Sequence, residues 1–247
     1  YDGTVSGGNP TVDPSTKDDD RTLTVNSITV NEASPYAVFT VTANPGQSLN
    51  LTLSNGTANP TATSGTDYGT AMQYWNGTAW TAYTAGFTVP STGTGTATVL
   101  VRMAINQDTT FEGAEDFKLT TTYASGATTK TATGVATIVD DGTGTKYPAV
   151  NPNAGPTPVT DTTNLDDDRG LTVNTITVNE GSPYAVFTVS GGPGQLTTLT
   201  LTNETTTGLA GLEVYNGTAW VAYTPGSTVA IGASGNYTYT PTMNPGA

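Results

Sequence analysis

The sequence predicts an all-β chain of tandem immunoglobulin-like β-sandwich domains, and three observations carry that expectation. The first is composition: apolar residues make up 35% and charged residues 11% of 247 positions. Thr, Val and Tyr favour half-buried pleated surfaces, while 29 Gly and 15 Pro supply frequent turns and leave no room for long helices. The second is alternation. Ala37, Phe39 and Val41; Leu49, Leu51 and Leu53; Val99, Val101, Met103 and Ile105; and Phe117 and Leu119, followed by Tyr123, step by two as strands with one buried face do. The third is a long internal repeat, in which Leu23 to Val41 returns as Leu171 to Val189 with 17 of 19 positions identical. An offset of 148 residues with so close a copy means tandem domains and not a solenoid of small units.

Further landmarks fix the expected boundaries. Asp18-Asp19-Asp20-Arg21 recurs as Asp166-Asp167-Asp168-Arg169, and Asn76-Gly77-Thr78-Ala79-Trp80 recurs as Asn216-Gly217-Thr218-Ala219-Trp220. Tyr1-Asp2-Gly3-Thr4 resembles Asp140-Asp141-Gly142-Thr143, so residues 1–21 read as the tail of a preceding repeat with its linker. Residues 22–142 read as one complete sandwich of about seven short strands. Residues 143–169 contain Pro148, Pro152, Pro156 and Pro158 and read as a stiffened linker unsuited to sheet pairing. Residues 170–247 read as an incomplete second sandwich, since Gly235 to Ala247 align with Gly95 to Gln107 and nothing matches Asp108 to Asp141. Further repeats on both sides, or a neighbouring chain completing the sandwich, are expected. Trp75-Asn76-Gly77-Thr78 predicts a tight hairpin, because Asn-Gly readily takes the positive φ values of a type I′ turn.

Charge narrows the function. A net charge of −13 with only seven Lys and Arg argues against nucleic acid and for cations as partners. Zero Cys removes disulfides and thiolate metal sites, and zero His removes the commonest general base and the usual zinc ligand. No apolar run reaches the length of a membrane span, and the first residues do not read as a signal peptide. Glu112 and Glu115, three residues apart on one loop, do not make the pair of facing carboxylates that glycoside hydrolysis needs, and a serine nucleophile would have no His. The chain therefore reads as non-catalytic. Of Tyr74, Trp75, Trp80 and Tyr83, the last three return as aromatics in the second copy, at Tyr215, Trp220 and Tyr223, as a packing framework would, although a sugar-stacking platform is the alternative.

The acidic residues are placed selectively. Glu32 follows the apolar run Ile28 to Val30, Asp67 ends Ala62-Thr63-Ser64-Gly65-Thr66-Asp67, and Asp108, Glu112, Glu115 and Asp116 crowd one short stretch. Asp140 and Asp141 close the last expected strand. Carboxylates at strand ends converge at one tip of a sandwich, where they repel unless a hard cation neutralises them. Calcium, with roughly six to eight oxygen ligands in flexible geometry, suits such a set.

Val30-Asn31-Glu32, the Ala-Thr-Ser-Gly-Thr-Asp-Tyr stretch ending at Tyr68, Phe111-Glu112-Gly113-Ala114-Glu115-Asp116-Phe117, and Ala136-Thr137-Ile138-Val139-Asp140-Asp141-Gly142 resemble, in order, successive motifs of the Calx-beta family. The resemblance spans residues 23–142. It implies a Greek-key sandwich of immunoglobulin type with calcium at one end, and Glu32, Asp67, Asp108, Glu112, Glu115, Asp140 and Asp141 as its ligands. The second copy keeps Glu180 but lacks Gly-Thr-Asp-Tyr, offering only Glu204 and Glu213, so no complete second site is expected. The near-identical tandem copies look most like giant RTX-type bacterial surface adhesins, although the glycine-rich nonapeptide calcium repeat of such proteins is absent. That likeness implies an extracellular, cell-surface structural repeat whose partners are calcium and flanking repeats. A subunit of a self-assembling fibre or sheath, with other copies as partners, and a glycan- or cell-binding module are the alternatives.

Overall fold

The computed structural model describes residues 21–57, 61–90, 96–125, 128–148, 158–202, 209–232 and 236–243. The expected preceding tail, the first Asp triplet and Glu204 lie outside them. The chain divides into two compact units, residues 1–166 and 167–247. Both are all-β. Among the described residues there is no helix, hence none long and apolar enough to cross a membrane.

The first unit is an immunoglobulin-like sandwich of two five-stranded sheets. One sheet orders β1 (Leu23–Val25), β3 (Tyr36–Ala43), β8 (Ala97–Ile105), β5 (Tyr68–Trp75) and β6 (Trp80–Ala82). The other orders β2 (Ile28–Asn31), β10 (Thr128–Val139), β9 (Glu115–Ser125), β4 (Ser48–Asn55) and β7 (Phe87–Thr88). The core lies between them, filled by the alternating residues the sequence marks: Phe39, Val41, Leu49, Val99, Val101, Met103, Phe117, Leu119 and Tyr123 are all buried. At its centre the Phe117 ring stacks on Tyr68, with centroids 4.2 Å apart, and meets Phe39 edge-on at 6.0 Å.

Three pairings aim strand ends at one tip. The parallel pairing of β2 with β10 sets Asn31 beside Val139, so both strands finish together. The antiparallel pairings of β9 with β10 (Glu115 opposite Ile138) and of β5 with β8 (Tyr68 opposite Ile105) start β9 and β5 and end β8 at that same tip.

The expected type I′ turn takes another form. Trp75 pairs with Trp80, leaving a four-residue loop, and only Gly77 has positive φ, at 101°. Asn76 instead accepts the backbone N–H groups of Thr78 and Ala79 with its side-chain oxygen. Asn216 repeats this arrangement with Thr218 and Ala219. An Asx side chain that satisfies two loop donors removes the need for left-handed backbone at its own position. The aromatics pack as a framework: Trp75 meets Trp80 at 5.6 Å, Tyr74 stacks on Phe87 at 4.7 Å, and Arg102 lies over the rings of Tyr36 and Trp80 at 3.9 and 4.2 Å.

The segment read as a linker differs most from expectation. Thr145 and Tyr147 form single β-bridges with Val30 and Tyr36, and the Tyr147 N–H donates to Ser34 Oγ. Tyr147, Pro148, Pro158 and Val159 cover Val38, Leu100 and Trp80 on the outer face of the first sheet. Proline forbids a continuous ladder but leaves isolated bridges and apolar contact open, so the described residues 143–148 and 158–166 form a strap belonging to the first unit.

The second unit comprises β11 (Thr172–Val173), β12 (Phe187–Ser190), β17 (Asn236–Met243), β14 (Leu209–Tyr215) and β15 (Trp220–Ala222) in one sheet. A two-stranded sheet of β13 (Leu196–Thr198) and β16 (Thr228–Ala230) accompanies it. Val173, Phe187, Val189, Leu199, Leu201 and Leu212 line an apolar groove of about 160 Å³. Two of these, Leu199 and Leu201, are the counterparts of Leu51 and Leu53, which β9 flanks in the first unit.

Candidate metal centre

The strand ends gather five of the seven expected ligands. Glu32, Asp67, Glu112, Glu115 and Asp140 line one cleft of the first unit, with Asn106 and Gly113. It encloses about 10 Å³, room for a single water or ion. One carboxylate oxygen from each of Asp67, Glu112 and Glu115 lies within 4.8 Å of the others.

Each position follows from local backbone. Asp67 closes the turn before β5: its N–H donates to Thr63 O at 3.0 Å and its carboxylate accepts the Thr63 N–H. Glu32 continues the pairing of β2 with β10 by donating its N–H to Val139 O at 2.9 Å, and its Oε1 accepts the Asp108 N–H at 2.8 Å. Glu112 donates its N–H to Asp140 Oδ2 at 2.7 Å. The other oxygen, Asp140 Oδ1, is buried without a partner in a side chain only 2% exposed. A buried acceptor left bare costs about 1–3 kcal/mol, more when charged, so such groups ordinarily have a ligand or an ion.

The remaining two turn elsewhere. Asp108 is exposed, and its Oδ1 accepts the Thr110 N–H. Asp141 accepts the backbone N–H and the hydroxyl of Thr143. In the second unit Glu180 is exposed, where its counterpart Glu32 is 6% exposed, and Glu213 lies on β14.

The electrostatics fit an unneutralised cation site. Burial, reinforced by the charges of Asp108, Asp166 and Asp140, pushes Glu32 up to about 7 against the hydrogen bond from Asp108. Burial, then the charge of Asp67, the neighbouring Glu112 and a shared hydrogen bond with Asp67, pushes Glu115 up to about 7. Glu112 is raised by its own partial burial and by Asp67, Asp108 and Asp140. These acids hold their protons more tightly in the folded state than in the unfolded chain, which is fully deprotonated sooner. Calcium-stripped protein is therefore expected to lose stability as pH rises from about 4.5 through about 7. Saturating calcium should reverse that trend by binding the deprotonated set. Thermal melts at pH 5 and pH 7.5, with and without calcium, read both slopes; a calcium-stripped protein more stable at pH 7.5 contradicts the expectation.

No protein-family model and no curated protein matches the chain. Among solved structures it is similar to AggA, the major subunit of aggregative adherence fimbriae type I from Escherichia coli. That match has 11% identity and a TM-score of 0.27, covering 49% of this chain and 96% of that one. It is also similar to the Pseudomonas aeruginosa CupB2 chaperone, with 11% identity and a TM-score of 0.29, covering 88% of this chain and 97% of that one. At such TM-scores these likenesses say nothing of function.

Proposed function

We propose that the chain is a non-catalytic, calcium-binding structural repeat of Calx-beta type from an extracellular, cell-surface protein. The observation that carries the reading is the single cleft lined by five carboxylates, with Asp140 Oδ1 buried and bare. A hard divalent cation supplies what that geometry lacks: positive charge, long oxygen distances and tolerance of irregular loop ligands. Its role is stoichiometric. Bound calcium ties the start of β9 and the ends of β2 and β10 into one rigid tip.

Calorimetric titration of calcium-stripped full chain tests this. Wild type is expected to take up calcium with an exchange of protons near pH 7, because Glu32 and Glu115 must deprotonate to bind. Asp140→Asn should weaken uptake by about tenfold or more, since ligand charge sets affinity in such sites. Failure of the wild type to bind at millimolar calcium would overturn the reading.

One observation favours assembly as a second reading. The apolar groove of the second unit, lined by Val173, Phe187, Val189, Leu199, Leu201 and Leu212, has the character of a sandwich interior waiting for strands. A fibre or sheath subunit completed by strands from outside residues 167–247 would use it.

A further inference from the structure

The same repeated sequence takes different structures in the two units, and the differences outline a gap. Strand β2 and residues 176–179 share the sequence Ile-Thr-Val-Asn, yet residues 176–179 form no strand. Val30 is 0% exposed, whereas its counterpart Val178 is 40% exposed. In the first unit β2 is held by its parallel pairing with β10, which sets Ile28 beside Ala136 and Asn31 beside Val139. The other side of the gap behaves alike. Ser48 and Leu49 of β4 pair with β7, while residues 50–55 pair with β9. Of the counterpart segment, Leu196–Thr198 is a strand paired with β16, and residues 199–202 are not strand. Strand structure is thus lost at the two places that β10 and β9 hold in the first unit, where the order is β2-β10-β9-β4. The gap is two strands wide.

The second unit keeps the fittings for what is missing. Phe187, Leu199 and Leu201 of its apolar groove repeat Phe39, Leu51 and Leu53. In the first unit Phe117, Leu119 and Tyr123 of β9, with Ala136 and Ile138 of β10, complete the core that contains Phe39 and Leu51. Polar fittings persist as well. Ser27 Oγ accepts the Val135 N–H at 3.1 Å and Asn31 Nδ2 donates to Val139 O at 3.3 Å; the copy has Thr175 and Asn179 at these places. A steric condition persists with them. β10 passes so close to the chain at Val25 and Asn26 that a Cβ on Gly134 would lie 2.6 Å from Val25 Cγ1 and 2.1 Å from Asn26 O. The copy keeps this pair as Val173 and Asn174, so an occupant needs glycine where its second strand crosses them.

We propose that the second unit is a docking site for a β-hairpin with the sequence chemistry of β9 and β10, which enters the gap as two adjacent strands. Its first strand runs antiparallel to residues 199–202 and its second parallel to residues 176–179. The register follows from the first unit: Leu199 and Leu201 face the hairpin's counterparts of Thr121 and Leu119, and Asn179 lies beside its counterpart of Val139. Backbone hydrogen bonds at both edges give affinity, while the groove and the glycine crossing select the sequence. This rests on the assembly reading of the second unit and narrows it: the occupant is a hairpin of this type and not the same face of a second copy.

The test adds a synthetic peptide of residues 108–141 to the full chain and reads hydrogen exchange at the amides of residues 176–179 and 199–202. In a second arm the same residues are joined after Ala247, so that poor solubility of the free peptide does not decide the result. Both segments should gain protection together, by about tenfold when peptide stands at a tenfold excess over its dissociation constant. A Gly134→Val peptide and a Phe117→Ser peptide should give little or none. Equal protection by the Gly134→Val peptide, or protection of one segment alone, would overturn the hairpin geometry. Protection that rises with the concentration of the chain itself and is not displaced by peptide would overturn the proposal while leaving assembly intact. No protection from peptide, joined residues or concentration would overturn both.

Discussion

Replacing Phe117 by alanine is expected to destabilise the first unit by about 3–5 kcal/mol, the cost of deleting a buried aromatic ring into a cavity that cannot fully collapse. Phe117 is fully buried, stacked on Tyr68 and edge-on to Phe39. It belongs to β9, which pairs on one side with β10 and on the other with β4. The void would open where both sheets meet, and Tyr68 would lose the surface that holds it at the start of β5. Urea unfolding followed by tryptophan fluorescence reads the change, since Trp75 and Trp80 report on the first unit. A loss near the upper end would consume much of the 5–15 kcal/mol typical of a domain. A cost below about 1 kcal/mol would place the ring outside the core. Because Asp67 immediately precedes Tyr68, the same substitution should also weaken calcium binding without touching a ligand.

Calcium is expected to stabilise the first unit by about 2.7 kcal/mol at a hundredfold excess over its dissociation constant, because only the folded state assembles the site. Asp140→Ala separates this from an ordinary structural role. In calcium, the variant should lose most of the gain. Without calcium it should be near neutral: the lost hydrogen bond from the Glu112 N–H is offset by removing a buried carboxylate oxygen that has no partner. A purely structural Asp140 would cost the same in both conditions. Paired melts of wild type and variant, with calcium and with chelator, distinguish the two patterns, and equal losses would count against the metal centre.

The sequence by itself determined the strands and the list of acidic candidates. Alternation at Phe39 and Val41, at Val99 to Ile105 and at Phe117 and Leu119 is a local property, because neighbouring side chains on a strand must face opposite ways whatever the strand pairs with. The near-identity of Leu23 to Val41 with Leu171 to Val189 likewise fixed the tandem organisation. Which carboxylates meet was another matter. Asp140 and Asp141 are adjacent in sequence, yet Asp140 lines the cleft while Asp141 binds Thr143, and the parallel pairing of β2 with β10 that brings Glu32 to Asp140 joins segments more than a hundred residues apart. The strap was illegible for the same reason. Proline marked it as unfit for a ladder, which it is, but its fold-back depends on Asn31 closing on the backbone of Asp166 and on Tyr147 packing over the first sheet. Such contacts are made between surfaces that exist only after the sandwich has formed, so only the tertiary structure decided which face the strap covers and where Asp166 comes to rest.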